Sequence, residues 1–89
     1  MARPTARIIR DYAGGPIIGM LAPTVFVNGI NIAVLGDNVE PHGMKPHNFA
    51  VIVTGSPNTF AHNCSVARLA DMASCGHNIV TGSDNTFTN

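Results

Sequence analysis

The sequence predicts an all-β protein, and three observations favour that class. Residues 52–60 read Ile-Val-Thr-Gly-Ser-Pro-Asn-Thr-Phe, and residues 79–87 repeat this text with one change, 27 residues further on. A short period of this kind is typical of a repeated supersecondary unit. Nine glycines and six prolines punctuate the chain, which favours turns over helices. Charged residues make up only 11% of the sequence and Glu40 is its one glutamate, so charged helix formers are scarce.

A third, degenerate copy of the repeat precedes these two. Residues 16–19 supply its apolar pair and turn, and residues 24–29 supply its strand, Thr-Val-Phe-Val-Asn-Gly. Between the copies lies a second recurring element, a strand of small residues that ends in aspartate, at Asp11, Asp37 and Asp71. These aspartates are 26 and 34 residues apart, so one connection carries an insertion, which falls at residues 38–50. Because it holds two of the four histidines, we expect chemistry there.

The individual strands follow from period-two alternation and from turn residues. A hairpin is predicted over residues 24–35, because strand formers flank Asn28-Gly29, a dipeptide typical of a type I′ turn. A second hairpin is predicted over residues 59–69, with His62-Asn63 in its turn, since both residue types tolerate positive φ. Further strands are expected at residues 50–54 and 78–81, each ended by Gly-Ser. Helix should be limited to a turn or be absent.

Length and charge exclude several classes of protein. At 89 residues the chain should form one domain over residues 1–89, too small for two cores. Its formal net charge is zero and no basic run follows Arg10, so the footprint of a nucleic-acid-binding protein is missing. The first residues lack the apolar region of a signal peptide, and no apolar stretch is long enough to span a bilayer. Without an export signal, Cys64 and Cys75 should stay reduced.

One repeat unit of this size cannot bury its apolar face alone. Three units folded around a common axis can, which predicts a compact, pseudo-three-fold arrangement of short hairpins with a shared core. The turns that connect the repeats would then gather at one end of the molecule. We therefore expect residues 40–47 and residues 74–77 to lie near each other.

Those two segments contain four side chains able to bind a metal: His42, His47, Cys75 and His77. Cys75 follows Asp71 by the same four residues by which Pro41 follows Asp37, so the segments occupy equivalent repeat positions. Three imidazoles and one thiolate form a closed tetrahedral set suited to Zn²⁺, with iron as a second possibility. A structural metal would also stabilise a small core. His62 and Cys64 lie in a hairpin turn that points elsewhere, and we leave them outside this site.

Two alternatives to a structural metal stay open. In the first, a catalytic zinc keeps one position for water and Glu40, close to His42, acts as the general base. In the second, the loop histidines are solvated and Cys75 is a small buried residue. A triad of Ser74, His77 and Asp71 can be composed, but no nucleophile-elbow pattern accompanies it, and no phosphate-binding glycine loop is present.

The order of these motifs resembles that of the PAAR-repeat proteins over nearly the whole chain. The resemblance is carried by Thr-Val-Phe-Val-Asn-Gly at 24–29, Leu-Gly-Asp at 35–37, Pro-His-Gly at 41–43, the copy at 52–60, Val-Ala-Arg-Leu-Ala-Asp at 66–71 and Ser-Cys-Gly-His at 74–77. Ser-Val-Ala-Arg at 65–68 stands where the family has Pro-Ala-Ala-Arg, and Ile-Ala-Val at 32–34 is a more eroded version. The chain departs from the family at the His62-Asn63 turn, at Ala70 in place of glycine and at Val34 in place of arginine.

The resemblance implies a small cone, one per trimer, on the blunt end of a trimeric β-helical spike of a type VI secretion system or a contractile phage tail. Within the family, the chain most resembles the free-standing spike tips of T4-like phages. It also implies an apical metal bound by three histidines and one cysteine, which map onto His42, His47, Cys75 and His77.

Such a tip would be non-enzymatic, would sharpen the spike for membrane piercing without being embedded, and would reside in the virion baseplate or in the cytoplasm before export. The alternatives are a small zinc hydrolase that uses Glu40 and a cytosolic β-module that binds a peptide through an edge strand.

Overall fold

The computed structural model of the chain describes residues 2–19, 21–40 and 50–89. These residues form eight two-residue strands and no helix, which confirms the all-β class, and none of them belongs to a helix that could cross a membrane. The strands are β1 (Arg3–Pro4), β2 (Phe26–Val27), β3 (Ile30–Asn31), β4 (Asn38–Val39), β5 (Ala50–Val51), β6 (Phe60–Ala61), β7 (Cys64–Ser65) and β8 (Phe87–Thr88). They pair antiparallel as β1 with β8, β2 with β3, β4 with β5 and β6 with β7.

Both predicted hairpins are confirmed, with their predicted turns. Asn28 and Gly29 join β2 to β3 with φ angles of 55° and 75°. His62 and Asn63 join β6 to β7 with φ angles of 49° and 65°. Two consecutive residues at positive φ are what a type I′ turn requires, and its twist matches that of the flanking strands.

The strands are shorter than predicted because the backbone changes its partner after every one or two residues. In the segment predicted as a strand over residues 78–81, Asn78 bridges to Met72, and the next two amides bind the carbonyl oxygens of Asp71 and Tyr12. No continuous ladder forms there, so that strand prediction is wrong, and the one over residues 50–54 holds only for β5. The bond from Val80 to Tyr12 links the third copy of the repeat to the first part of the chain, which helps a short chain to close on itself.

The two ends of the chain close a third hairpin. β8 pairs with β1 so that Phe87 lies opposite Pro4, just as Phe60 lies opposite Ser65 in the second hairpin. This pairing of distant segments was not predicted. It completes the third repeat with residues from both termini.

Three buried alanines mark a pseudo-three-fold axis. Ala6 donates its backbone N–H to the carbonyl oxygen of Ala67 at 3.0 Å, Ala67 donates to Ala33 at 2.9 Å, and Ala33 donates to Ala6 at 3.0 Å. All three are fully buried. The hydrogen bonds form a closed ring, and three backbones can approach this closely only because the side chains are small. The predicted pseudo-three-fold arrangement is confirmed.

The main core is built against this ring. The isoleucines that open the three repeats, Ile17, Ile52 and Ile79, are each at most 1% exposed and pack in one cluster with the ring alanines. Each donates its backbone N–H to the carbonyl oxygen of the repeat aspartate that precedes it, at 2.8 to 3.1 Å. The same three sequence positions therefore supply both the core side chains and the bonds that connect them to the aspartates.

The repeat aspartates are buried, and two of them bind an arginine from their own repeat. Arg68 donates from Nε and Nη2 to the Asp71 carboxylate at 2.9 and 3.0 Å, and Arg7 binds Asp11 in the same way at 2.8 and 3.2 Å. Arg7 ends the segment Pro4-Thr5-Ala6-Arg7, which is a further copy of the Pro-Ala-Ala-Arg signature. This copy was not predicted. The signature arginine thus neutralises a carboxylate inside the fold.

Among the described residues Asp37 has no such arginine partner, because Val34 stands at the arginine position. Its carboxylate accepts hydrogen bonds from the backbone N–H groups of Val34 and Leu21, at 2.8 and 3.1 Å. Burial raises the pKa of Asp37 above its ordinary value, against the opposing effect of these two bonds. Val34 itself belongs to a second apolar cluster with Ala22, Val27, Ile32, Ala61 and Val66. The degenerate repeat therefore replaces an ion pair by apolar packing.

Candidate metal centre

Three loops occupy equivalent positions between the repeats, each directly after a buried aspartate. The first, residues 13–15, is closed by an antiparallel bridge between Tyr12 and Pro16. The second lies between β4 and β5, and the third, residues 73–77, is closed by a bridge between Met72 and Asn78. The insertion predicted at residues 38–50 lies at this second position, and the structure describes its two ends, β4 with Glu40 and the start of β5. We call the three segments the end loops.

Cys75 and His77 lie together in the third end loop. Ala73 donates its N–H to the carbonyl oxygen of His77 at 2.8 Å, and Gly76 donates to the carbonyl oxygen of Ala73 at 3.0 Å. Gly76 has a φ of 95°, a conformation that strains any residue with a Cβ, so glycine is needed for the tight turn. The loop exposes the imidazole of His77 and holds Cys75 half-buried against the main core.

The third end loop is attached to the second one. Ser74 donates its backbone N–H to the carbonyl oxygen of Val51 at 2.8 Å, and Val51 donates its own N–H to the hydroxyl of Ser74 at 3.1 Å. Val51 lies in β5, and Ser74 immediately precedes Cys75. On the other side, Glu40 donates its N–H to the carbonyl oxygen of Pro16 at 2.8 Å. Hydrogen bonds therefore fix both ends of the connection between β4 and β5 and tie one of them to the Cys75 loop.

His42 and His47, the other two predicted ligands, lie outside the described residues. In the sequence, His42 follows Glu40 by two residues and His47 precedes Val51 by four. In the ranges that the structure describes, no group of three or more His, Cys, Asp or Glu side chains could hold a metal ion. Cys75 and His77 offer a thiolate and an imidazole, donors that suit zinc.

Two residues of the triad composed of Ser74, His77 and Asp71 have other partners in the fold. Asp71 is bound by Arg68, and Arg3 and Thr54 also donate to its Oδ1 at 3.0 and 2.9 Å, so it is an ion-pair partner and not the orienting group of a triad. Burial would raise the pKa of Asp71, but hydrogen bonds from Arg68 and Thr54 outweigh it and hold the pKa below its ordinary value. The hydroxyl of Ser74 is bound to backbone.

His62 and Cys64 belong to the second hairpin and not to the end loops. The Nε2 atom of His62 lies 2.6 Å from the hydroxyl of Thr24, and Cys64 packs against the second apolar cluster. Cys75 packs against the main core instead. Cys64 and Cys75 are not joined by a disulfide.

Sequence reasoning missed the polar network that joins the first and third repeats. Asn28 accepts hydrogen bonds from Arg7 at 3.2 Å and from Ser83 at 2.7 Å, and Thr81 donates to Asp11 at 2.7 Å. The sequence did contain a sign of this network, because Thr54 and Thr81 hold the same place in the two near-identical copies. In the structure each of them donates a hydrogen bond to a repeat aspartate. Copies that conserve a polar residue along with their apolar ones indicate a shared buried partner.

The hairpins also expose three equivalent aromatic side chains. Phe26, Phe60 and Phe87 are the first residues of β2, β6 and β8, one strand of each hairpin. They are 57%, 59% and 55% exposed, whereas the residue after each is buried. Exposed apolar residues that repeat with the symmetry of a fold form a patterned surface, in contrast to single scattered ones.

A profile of the PAAR motif family matches residues 42–89, which is more than half of the chain. Comparison with curated proteins finds no match.

Proposed function

Because the chain belongs to the PAAR-motif family, we propose that it is the structural tip of a contractile injection machine, capping the trimeric β-helical spike of a phage tail or a type VI secretion system. The closed ring of Ala6, Ala33 and Ala67 is the observation that supports this role most strongly. A single chain with three equivalent faces can make the same contact with each chain of a three-fold partner.

The end of a trimeric β-helix leaves three strand edges and an apolar interior in contact with water. Open strand edges are templates for unwanted pairing, and natural proteins cover them. Short hairpins at three equivalent positions offer strand complementarity, and Phe26, Phe60 and Phe87 offer apolar area around the axis. Capping would therefore protect the spike end as well as extend it.

The metal part of the proposal assigns His42, His47, Cys75 and His77 as ligands of one Zn²⁺, with Fe as the alternative. The attachment of Ser74 to Val51 supports it, because this contact brings the Cys75 loop beside the chain that leads to His47. When bound, the ion supplies a cross-link between two end loops and, with four protein ligands, no open position for water. The tip is then non-enzymatic.

A tip of this kind has to resist force while the spike pierces a membrane. Resistance to forced unfolding depends on the unfolding rate, and cross-links between distant segments lower that rate. The protein has such links besides the metal, since Arg3 near one end of the chain binds Asp71 and β1 pairs with β8. The tip passes through the membrane without being embedded in it.

Metal analysis tests the ligand assignment. The protein is purified without added metal, its zinc and iron are measured by mass spectrometry, and the coordination shell is read from X-ray absorption. We expect one zinc per chain with three nitrogen ligands and one sulfur ligand. Cys75→Ala and His42→Ala should lose it, and Cys64→Ala, the matched cysteine control, should retain it. Metal-free wild-type protein would contradict the assignment, and three protein ligands plus water would favour a hydrolase using Glu40.

A binding measurement tests the cap itself. The chain is mixed with a soluble trimeric β-helical spike fragment and run on a sizing column, with a trimeric coiled coil as the control partner. Co-elution with the β-helix and not with the coiled coil is expected, because only the β-helix ends in open strand edges. If the chain elutes alone in both mixtures, the capping role is wrong.

A further inference from the structure

The first repeat carries an open groove of about 620 Å³. Its walls come from residues 8–10, Tyr12, Gly29 and strand β3, and its apolar lining includes Ile8, Ile9 and Ile30. This volume lies within the range of about 300–1,000 Å³ that small ligand sites occupy. Apolar walls with a few polar groups are also typical of binding sites.

An inserted residue accounts for part of this wall. Ile9, Gly36 and Ala70 occupy equivalent positions, since each donates its N–H to the carbonyl oxygen of the isoleucine that opens a repeat copy. One more residue, Arg10, separates Ile9 from Asp11, whereas Gly36 and Ala70 directly precede their aspartates. The groove therefore includes a residue that breaks the pseudo-three-fold symmetry. The inserted Arg10 occurs in one repeat only, so a three-fold partner such as the spike could not contact it at three equivalent positions. Binding to the spike therefore does not explain the insertion.

Ile9 adopts a strained backbone conformation beside the inserted residue. Its φ is 67°, a value that β-branched side chains strongly disfavour, and its equivalents are glycine and alanine. The side chain is 64% exposed, so packing within the fold does not offset the strain. Strained backbone conformations are concentrated at functional sites, which include sites that hold a ligand.

Arg10 gives the groove an unneutralised positive charge. Arg3, Arg7 and Arg68 each form a salt bridge with a buried aspartate. Arg10 is exposed, and in the described part of the chain it forms no ion pair with any carboxylate. A guanidinium beside apolar side chains is complementary to a carboxylate that neighbours an apolar group.

We propose that this groove binds a peptide segment in which an apolar side chain lies next to a carboxylate. The apolar side chain packs against Ile9 and Ile30, and the carboxylate accepts hydrogen bonds from Arg10. The carboxylate can belong to an acidic side chain or to the C-terminus of the peptide, since the chemistry at Arg10 is the same. The site exists once per chain and is independent of the proposed capping role.

Tyr12 permits a direct test, because it lines the groove and the chain has no other tyrosine and no tryptophan. Its fluorescence is followed while three probes are titrated: N-acetyl-Leu-Leu with a free carboxylate, the same dipeptide as its amide, and N-acetyl-Leu-Glu amide. Saturable binding of the first or the third probe is expected, and which one binds tells a C-terminal from a side-chain carboxylate. The amide should bind about ten-fold more weakly, as expected for the loss of a charge-assisted hydrogen bond.

Three variants separate binding from folding. Arg10→Gln should reduce the affinity for the carboxylate probe to that of the amide. Ile9→Gly should raise the melting temperature, since glycine accepts positive φ, and should weaken probe binding because the apolar wall is lost. Ala70→Gly relieves the equivalent strain outside the groove and should leave binding unchanged. The proposal is wrong if neither carboxylate probe saturates, if the carboxylate probe that saturates binds no more tightly than the Leu-Leu amide, if Arg10→Gln binds that probe as wild type does, or if Ala70→Gly weakens binding as much as Ile9→Gly.

Discussion

Replacing Asp71 by asparagine should destabilise the protein far more than the same replacement at Asp37, although both carboxylates are at most 2% exposed. Asp71 neutralises Arg68, whose side chain is 11% exposed, and removing one partner of a buried pair costs about 3–5 kcal/mol. In the described part of the chain, the hydrogen bonds to Asp37 come from backbone N–H groups, and its asparagine variant loses one of them, a cost of about 1 kcal/mol. Removal of an unpaired buried charge offsets part of that cost.

These free energies convert into well-separated melting temperatures. In a domain of this size, 1 kcal/mol corresponds to about 4–8 °C. Asp71→Asn should therefore lower the melting temperature by at least about 12 °C, and Asp37→Asn by at most about 8 °C. Thermal and urea unfolding at pH 7, followed by circular dichroism, measure both, and the urea slope should stay the same in all three proteins. Equal losses in the two variants would refute the different roles assigned to the aspartates.

The two carboxylates should also respond oppositely to pH. The pKa of Asp71 is lowered from its ordinary value of 3.8, so its stabilisation is present above 3.8 and is lost as the pH falls through its folded-state pKa. The pKa of Asp37 is raised from 3.8, so its contribution is most favourable below 3.8 and declines as the pH rises through its folded-state pKa. The difference in stability between wild type and Asp71→Asn should therefore become smaller at low pH. The stability of Asp37→Asn relative to wild type should increase as the pH rises. Unfolding measured at a series of pH values tests both.

Three further results are expected. Ala70→Gly should stabilise the protein by about 1 kcal/mol, measured by urea unfolding, because Ala70 has a φ of 74° that glycine adopts without strain; a loss of stability would contradict the assigned turn. A circular permutant that fuses Asn89 to Met1 and opens the β6–β7 turn should fold with a native circular dichroism spectrum, because β8 already pairs with β1; an unfolded permutant would argue against closure by the two ends. A chelator should lower the melting temperature of wild type and of Cys64→Ala but not of Cys75→Ala, and equal responses would remove Cys75 from the metal site.

The repeated motif made the hairpins and the pseudo-three-fold axis predictable, because both depend on local sequence. Asn28-Gly29 and His62-Asn63 define their turns through backbone preferences that a sequence displays directly. The third hairpin could not be recognised in this way, since β1 and β8 lie at opposite ends of the chain and share no turn. Strand lengths were overestimated for a related reason, because alternation of apolar residues does not reveal where the backbone changes partner.

The chemistry of the metal site stays a prediction, and the described residues include only part of the segments that would form it. Cys75 and His77 lie in one loop that is hydrogen-bonded to β5. The predicted proximity of residues 40–47 to this loop lies outside the described residues, apart from Glu40. The ligand roles of His42 and His47 stay a prediction. The buried partnership of Arg68 with Asp71 was not anticipated, because residue types alone do not show which charges are paired inside a fold.

One chain on three spike chains is the ratio that a pseudo-three-fold cap requires. Native mass spectrometry of the chain mixed in excess with a trimeric β-helical spike fragment measures it directly. We predict a complex of one chain with one trimer and no higher occupancy, because the first chain covers the whole three-fold end. Three chains per trimer, or free trimer alone, would contradict the proposed capping of the spike.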